Sequence, residues 1–477
     1  MNGAGCLDAS RFPFYDMNQQ NFTNMKENAL YMSDFCPLFA PVGVGTFHME
    51  TAHAFFQESS KLLQEIDPEI LIPEDILLGV DRLKAWLKGK TPDLIIFQNN
   101  TFANAAYMAE VLRMTDCPVL LWTLREPKGD GGRLRLNSLT GAYSAANIYR
   151  EMRDGAPLYV FGSPEEASVR TEIEAAVRAA RLRKELRSLR VAAVGQTPQG
   201  FGFGRALDQD LASVFGAELL SIEVRELIDR AKGFSPEDSK AYLEKSALSM
   251  TGLDKTPEKN LIDYGRLYRA YDEFVKENGI GALASRCWPD LFTSYGTPNC
   301  AVLSMLNDDG VAAACEADVY GALSMWMGMR LAKSPVFFGD PVAMDEETNT
   351  ITYWHCGACA CTLARKDTGA AVGVHPNRKI GPAMDFGCES FGDATVFRIG
   401  RKPDGSFRFF LFEGETVDCP KQYIGTSIVV RPEKDARALV EDSVRAGFEP
   451  HFAVIPGHAA KTLTDLAEML GIEVVRY

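Results

Sequence analysis

The chain of 477 residues lacks the features that mark several large classes of protein. No apolar run reaches the ~20 residues that a membrane-spanning helix needs. Positive charge is in deficit: 50 Lys and Arg against 64 Asp and Glu give a net −14 and a pI of about 5.1, which argues against a nucleic-acid backbone as partner. The opening MNGAGCLDASRF lacks the basic-then-apolar pattern of a signal peptide, so a cytoplasmic location is expected. No GK[ST] follows the glycine-rich run GDGGRLRLNSLTGA, which excludes a Walker loop, and Gly202 and Gly204 have no third glycine at the dinucleotide-binding spacing. The 11 cysteines are odd in number and scattered, as expected of reduced, buried thiols. Cys356, Cys359 and Cys361 form C-x-x-C-x-C, but no second C-x-x-C exists. A zinc or iron–sulfur site would need Cys388 or a histidine to complete it, against the simpler reading of thiols packed as small hydrophobes.

What is present is the pattern of a large α/β protein, with 46% apolar and 24% charged residues. Short continuous apolar runs such as FAPVGV, PDLIIF and CPVLLW alternate with helical stretches, as in parallel sheets covered on both faces. A charged helical stretch, 164–189, separates this region from a second α/β unit that starts at Val191. Past His355 the pattern changes to short alternating strands with turns such as KPDGS. The expected fold is therefore two Rossmann-like parallel-sheet α/β domains, 1–165 and 166–345, followed by an antiparallel β-barrel-like domain, 346–477. The polar residues 1–30 read as an arm on a partner subunit or a loose terminus.

The most informative stretch is Gly310–Cys361. A small apolar run, 311–315, ends at Glu316; a nearly uncharged helix is expected over 318–333; a second apolar run, 335–338, ends at Gly339-Asp340. Strand, helix and strand of this length predict a right-handed parallel crossover, with Glu316 and Asp340 at the carboxyl ends of neighbouring strands. A third run, 351–354, ends at His355. Two carboxylates and an imidazole suit Mn²⁺ or Mg²⁺ better than structural zinc; alternatively, Glu316 caps a helix and Asp340 begins a turn.

Other polar groups follow apolar strands. Gln98, Asn99 and Asn100 can hydrogen-bond sugar hydroxyls or cap the next helix. His48 can touch a sugar or cap its own helix. Arg125, Lys128, Arg133 and Arg135 can bind an anionic substrate group or pair with acids. Trp288, Phe338 and Trp354 can wall a pocket or fill a core. His375 and His451 are strand or pocket histidines. The loop GQTPQGFGFG lines a pocket or makes a tight turn.

CEADVYGAL, FFGDP and WHCG, with RCWPDL and SMLNDDG upstream, resemble the L-fucose isomerase and L-arabinose isomerase superfamily, in its fucose isomerase-like members. The resemblance is strongest over Arg286–Cys361 and weak over the N-terminal third. It implies a metal-dependent aldose–ketose isomerase working through an enediol, with Mn²⁺ as cofactor and Mg²⁺ or Co²⁺ as substitutes. Glu316 and Asp340 would be both metal ligands and acid/base groups. His355 matches a ligand of the arabinose isomerase branch, and His458 stands at that branch's spacing for a late histidine ligand. Gln98, Asn100, Arg125, His48 and Trp354 would bind substrate. The family implies a trimer or hexamer. The sugar is open between a substituted or sulfonated hexose such as sulfoquinovose and a neutral one such as L-fucose or L-arabinose. A non-catalytic sugar-binding protein is the alternative.

Overall fold

A computed structural model of the protein describes residues 35–477, so the polar stretch 1–30 lies outside the described residues. The first sheet is parallel and five-stranded, built from β1 (Pro37–Gly43), β2 (Leu77–Leu78), β3 (Leu94–Asn99), β4 (Val119–Thr123) and β5 (Leu158–Phe161) in the order β2-β1-β3-β4-β5. The residues of β1, β3 and β4 are buried throughout, which is why they read as unbroken apolar runs. The helix Ala167–Leu186 leads to a second parallel sheet, β7-β6-β8-β9, formed by β6 (Arg190–Val194), β7 (Glu218–Ile222), β8 (Ala282–Ser285) and β9 (Ala312–Cys315).

The third sheet is mixed. It uses β10 (Phe337–Asp345), β11 (Thr350–His355), β14 (Phe386–Gly387), β15 (Asp393–Arg401), β16 (Phe407–Val417), β17 (Thr426–Pro432), β18 (Phe452–Pro456) and β19 (Glu473–Arg476). A small two-stranded ladder, β12 (Val372–Gly373) with β13 (Ala383–Met384), stands beside it. The order is β14-β17-β11-β10-β18-β15-β16-β19, and β17 also pairs with β16. The purely antiparallel expectation is corrected at both ends, where β14 pairs parallel with β17 and β19 parallel with β16. Two helices, Ala436–Arg445 and Ala460–Leu470, interrupt what reads in sequence as strands alone.

The expected parallel crossover is also corrected. β10 does not join β9; it pairs antiparallel with β11 and β18 in the third sheet. An apolar run that ends in a carboxylate reads alike in either sheet, because periodicity carries no information about the partner strand. The helix between β9 and β10, Val319–Ala332, is as expected. Its residues from Val319 to Met329 are all buried, and it packs between the second and third sheets in a core with Phe338, Phe397 and Ile455. Asp318 caps its start by accepting a hydrogen bond from the Gly321 amide at 2.9 Å. This helix therefore clamps β9 of one sheet to β10 and β18 of the other, and β10 runs back along it so that Asp340 returns to the end where Glu316 lies.

Candidate active site

The carboxylates meet where the second and third sheets join. Glu316 leaves the end of β9 and Asp340 lies in β10, opposite Trp354 of β11. Between them stands His451, on the turn that enters β18. Its Nε2 is 3.1 Å from Glu316 Oε2 and 3.5 Å from Asp340 Oδ1. Its Nδ1 donates to Asp318 Oδ2 at 2.9 Å. Asp318 is in turn gripped by Arg398 of β15, which donates to its two oxygens at 2.5 and 3.0 Å, and neither side chain is reached by solvent. A buried ion pair of this kind needs every lone pair satisfied; the Gly321 amide and His451 complete the set around Asp318. Phe338 and Phe203 pack on the imidazole with ring centroids at 5.0 and 5.5 Å.

The electrostatics follow from this packing. Burial opposes charge on His451, but the hydrogen bonds to Asp318 and Glu316 and the charge of Asp340 overcome it, and its pKa is pushed up to about 10. Burial likewise acts against the Asp318 carboxylate, yet Arg398 and His451 hold it well below the usual range. Burial raises Asp340, with Glu316 and Asp318 adding to the rise and His451 opposing it. The backbone is strained at the same point. Glu316 and Ala317 sit at φ 60° and 55°, the left-handed region that costs a side-chain-bearing residue ~1–2 kcal/mol each. That turn aims the Glu316 carboxylate away from the sheet and into the junction.

The donor set fits a hard divalent cation: two carboxylates and one imidazole whose other nitrogen is anchored by a carboxylate, an arrangement common around metal-bound histidine. As they stand the three side chains contact one another rather than a shared centre, and no trio of His, Cys, Asp or Glu among the described residues is spaced as a finished cage.

Several expected site residues lie elsewhere. His458 is exposed and pairs with Asp393 at 3.2 Å and Glu413 at 3.3 Å, away from the carboxylates. His355 ends β11 and is buried, but its Nδ1 accepts hydrogen bonds from the Gly357 and Ala358 amides at 3.2 and 2.9 Å. Nδ1 being an acceptor leaves the proton on Nε2, so the ring is a donor rather than a metal ligand. Burial, with His451 and His375 nearby, lowers its pKa to about 3. Arg125 is held by both oxygens of Glu166 at 2.6 and 2.8 Å and lies over Phe161, and Arg135 pairs with Asp130 at 3.1 Å. His48 caps its own helix by accepting from the Thr51 amide. Gln98 is buried against Ser59 and Asn100, and the next helix is capped by Asn104 instead of Asn100. Trp354 donates to the Ile424 carbonyl at 2.8 Å, beside Asp340 in the ladder. Cys359 lies 3.7 Å from Cys388 Sγ to Sγ, and Cys361 is set apart, its amide bound to Asp308. Burial pushes the thiols of Cys356, Cys359 and Cys361 well above their ordinary value, which makes them inert packing groups. The residues that sequence reasoning left undecided or unnoticed are His451, Asp318 and Arg398. FEPHFAVIPGH carries two histidines, and only the pairing of β18 with β10 selects the first of them. The glycine-rich loop, whose role was open, brings Phe203 onto His451, and a Cβ at Gly204 would strike the Asp318 backbone at 2.7 Å.

Comparison with known proteins agrees with the resemblance. The family model for the L-fucose isomerase C-terminal domain matches residues 354–477. The sulfoquinovose isomerase of Clostridium sp. (strain MSTE9) is 56% identical over 446 residues, 94% of this chain and 100% of that protein. The chain belongs to this family of fucose isomerase-like enzymes. Sulfoquinovose isomerases of Priestia aryabhattai, 34% identical over 450 residues, and Alkalicoccus urumqiensis, 35% over 448 residues, cover 94% and 92% of it. Like the other members, the protein is an aldose–ketose isomerase, and the family likeness runs through the first sheet, where the sequence motifs are weak.

Proposed function

We propose that the protein interconverts sulfoquinovose, a hexose with a sulfonate at C6, and its 2-ketose, and that Glu316 and Asp340 carry the proton. The observation that supports this most is the 56% identity to the Clostridium enzyme over nearly the whole of both chains. Isomerisation moves a proton from C2 to C1 and another between O2 and O1. A proton on carbon beside a hydroxyl is weakly acidic, so the site must stabilise charge on the oxygens and supply a base at carbon. Glu316, Asp340 and His451, its Nε2 proton given up on binding while Nδ1 stays on Asp318, would hold the metal, Mn²⁺ by donor chemistry, which when bound would supply a Lewis acid to the sugar oxygens. Glu316 and Asp340 come from different sheets and meet at His451 Nε2, 3.1 and 3.5 Å away, and either carboxylate would take a proton from carbon and return it. Asp318 and Arg398 keep His451 oriented without touching the sugar. Phe338 and Phe203 exclude water from the imidazole side.

This reading includes a homo-oligomer, a cytoplasmic location, a three-domain division at 165 and, because β10 pairs with β11 and β18, ahead of Phe337 instead of at 345, and a barrel-like third domain, the last supported by pairing that returns from β16 to β17. The test is direct. Purified protein is incubated with sulfoquinovose in D₂O with Mn²⁺, and the ketose is followed by NMR. Ketose carrying deuterium at C1, lost on chelation and restored by Mn²⁺, is the expected result. Absence of ketose from sulfoquinovose at any Mn²⁺ concentration overturns the reading; L-fucose, L-arabinose and glucose are the comparison sugars.

A further inference from the structure

We propose that Arg378, carried on the turn 375–380 and laid over Trp288, grips the anionic end of the substrate at the rim of the carboxylate site. The inference rests on the sulfonated-sugar reading above and names the residue that would enforce it. The reacting carbons and the C6 sulfonate are at opposite ends of a hexose, so its binder belongs at the rim of the site and not among Glu316, Asp340 and His451.

Register gives the rim its position. β8 and β9 pair with Ser285 opposite Cys315, so the next residues, Arg286 and Glu316, leave neighbouring strands side by side, and such strands lie about 4.8 Å apart. From Arg286 the chain runs through Trp288 into the short helix Leu291–Tyr295. The turn 375–380 closes on itself, with the His375 amide donating to Ile380 O at 2.9 Å and the Lys379 amide to His375 O at 2.8 Å. It docks on that segment twice: His375 meets the Phe292 ring edge-on at 5.2 Å, and the Arg378 guanidinium lies 5.0 Å from the centre of the Trp288 ring. His375 is buried at the base of the turn, and Trp288, under Arg378, lies two residues past Arg286, the neighbour of Glu316 across the strand ends.

Arg378 differs from Arg286, Arg125 and Arg135 in having no carboxylate partner among the described residues. Arg125 is held through two nitrogens by Glu166, and Arg286 and Arg135 each reach a carboxylate through one terminal nitrogen, Asp290 at 2.5 Å and Asp130 at 3.1 Å, so each already has an acidic partner. No Asp or Glu among the described residues lies within ion-pair reach of Arg378 or its neighbour Lys379, and both are exposed. Contact with an indole restricts a guanidinium while its N–H groups remain available to a ligand, and Arg378 is exposed over Trp288. A sulfonate is a permanent anion with three acceptor oxygens, and paired N–H donors suit it; a neutral C6 group leaves those donors to water.

Arg378→Met and Arg378→Lys, compared with wild type on sulfoquinovose and on 6-deoxyglucose, test this. Arg378→Met should lower kcat/KM for the sulfonated sugar about 10- to 100-fold, mostly through KM, and leave the neutral sugar within about 3-fold. Arg378→Lys should fall between, keeping the charge without the fork. If wild type turns over the sulfonated sugar and Arg378→Met stays within about 3-fold of it, the inference fails alone. Equal losses on both sugars also overturn it, because the effect is then structural. A wild type inactive on the sulfonated sugar overturns the substrate reading, and this inference with it.

Discussion

His451 shows how much one residue's surroundings decide. Six histidines are distributed through the chain, and this one has both nitrogens committed to carboxylates, Nδ1 to Asp318 and Nε2 toward Glu316 and Asp340. His451→Gln should therefore weaken Mn²⁺ binding at least ~10–100-fold, the loss typical even of outer partners at metal sites. His458→Gln should leave the Mn²⁺ titration unchanged, since His458 faces Asp393 and Glu413 at the surface; calorimetric titration of both variants separates the two histidines. Asp340→Asn keeps the shape of the side chain and removes its ability to accept a proton. Its kcat at saturating Mn²⁺ should fall about 10²–10⁴-fold, the range for loss of an acid/base group, while its melting temperature stays close to wild type. Near-normal kcat at saturating metal would move the proton-transfer role to another residue. Glu316 and Asp340 are readable from sequence because each follows an apolar run. Asp318 and Arg398 are not, since 80 residues separate the partners and nothing local links them.

At the scale of elements, the helix Val319–Ala332 does the positioning. Its buried face is almost continuous because it is enclosed by two sheets, and its glycines mark the closest approaches. A Cβ at Gly328 would meet Ile455 Cγ1 at 2.7 Å and Val336 Cγ1 at 3.2 Å, and one at Gly321 would meet Phe338 at 2.4 Å. Gly328→Val should cost about 1–3 kcal/mol by overpacking, read as a lower denaturation midpoint with an unchanged slope. A stability equal to wild type would mean that the helix can shift away from β18. The extent of this helix is legible in the run after Glu316, although its cap is Asp318 and not Glu316, and it ends at Lys333, at φ 54°. The partner of the strand that follows is not legible: Phe337–Asp345 joins the third sheet because β18, more than a hundred residues later, supplies its other edge.

At the scale of the whole molecule, the first sheet stands apart from the carboxylate junction, and its strand β5 and the helix Ser138–Met152 carry exposed apolar side chains, Tyr159 and Phe161 on the strand and Leu139 and Tyr143 on the helix. Contiguous apolar surface of this kind is uncommon on a lone soluble chain. Light scattering should accordingly give a mass that is a multiple of 52.5 kDa, and Tyr143→Lys with Tyr159→Lys should shift it toward the single-chain value; a wild-type monomer would refute the assembly. The sequence by itself determined the two parallel sheets, the buried helix and the pair of carboxylates, because continuous apolar runs, helical periodicity and acids at strand ends are local signals. The family motifs added the chemistry. Only the tertiary structure decided that Asp340 belongs to a different sheet from Glu316, that His451 and not His458 or His355 faces both, and that Arg125 is bound to Glu166 while Arg378 has no carboxylate partner among the described residues. Each of those is a choice among chemically equivalent residues, made by strand pairing and burial across long separations, and no local pattern in the chain records it.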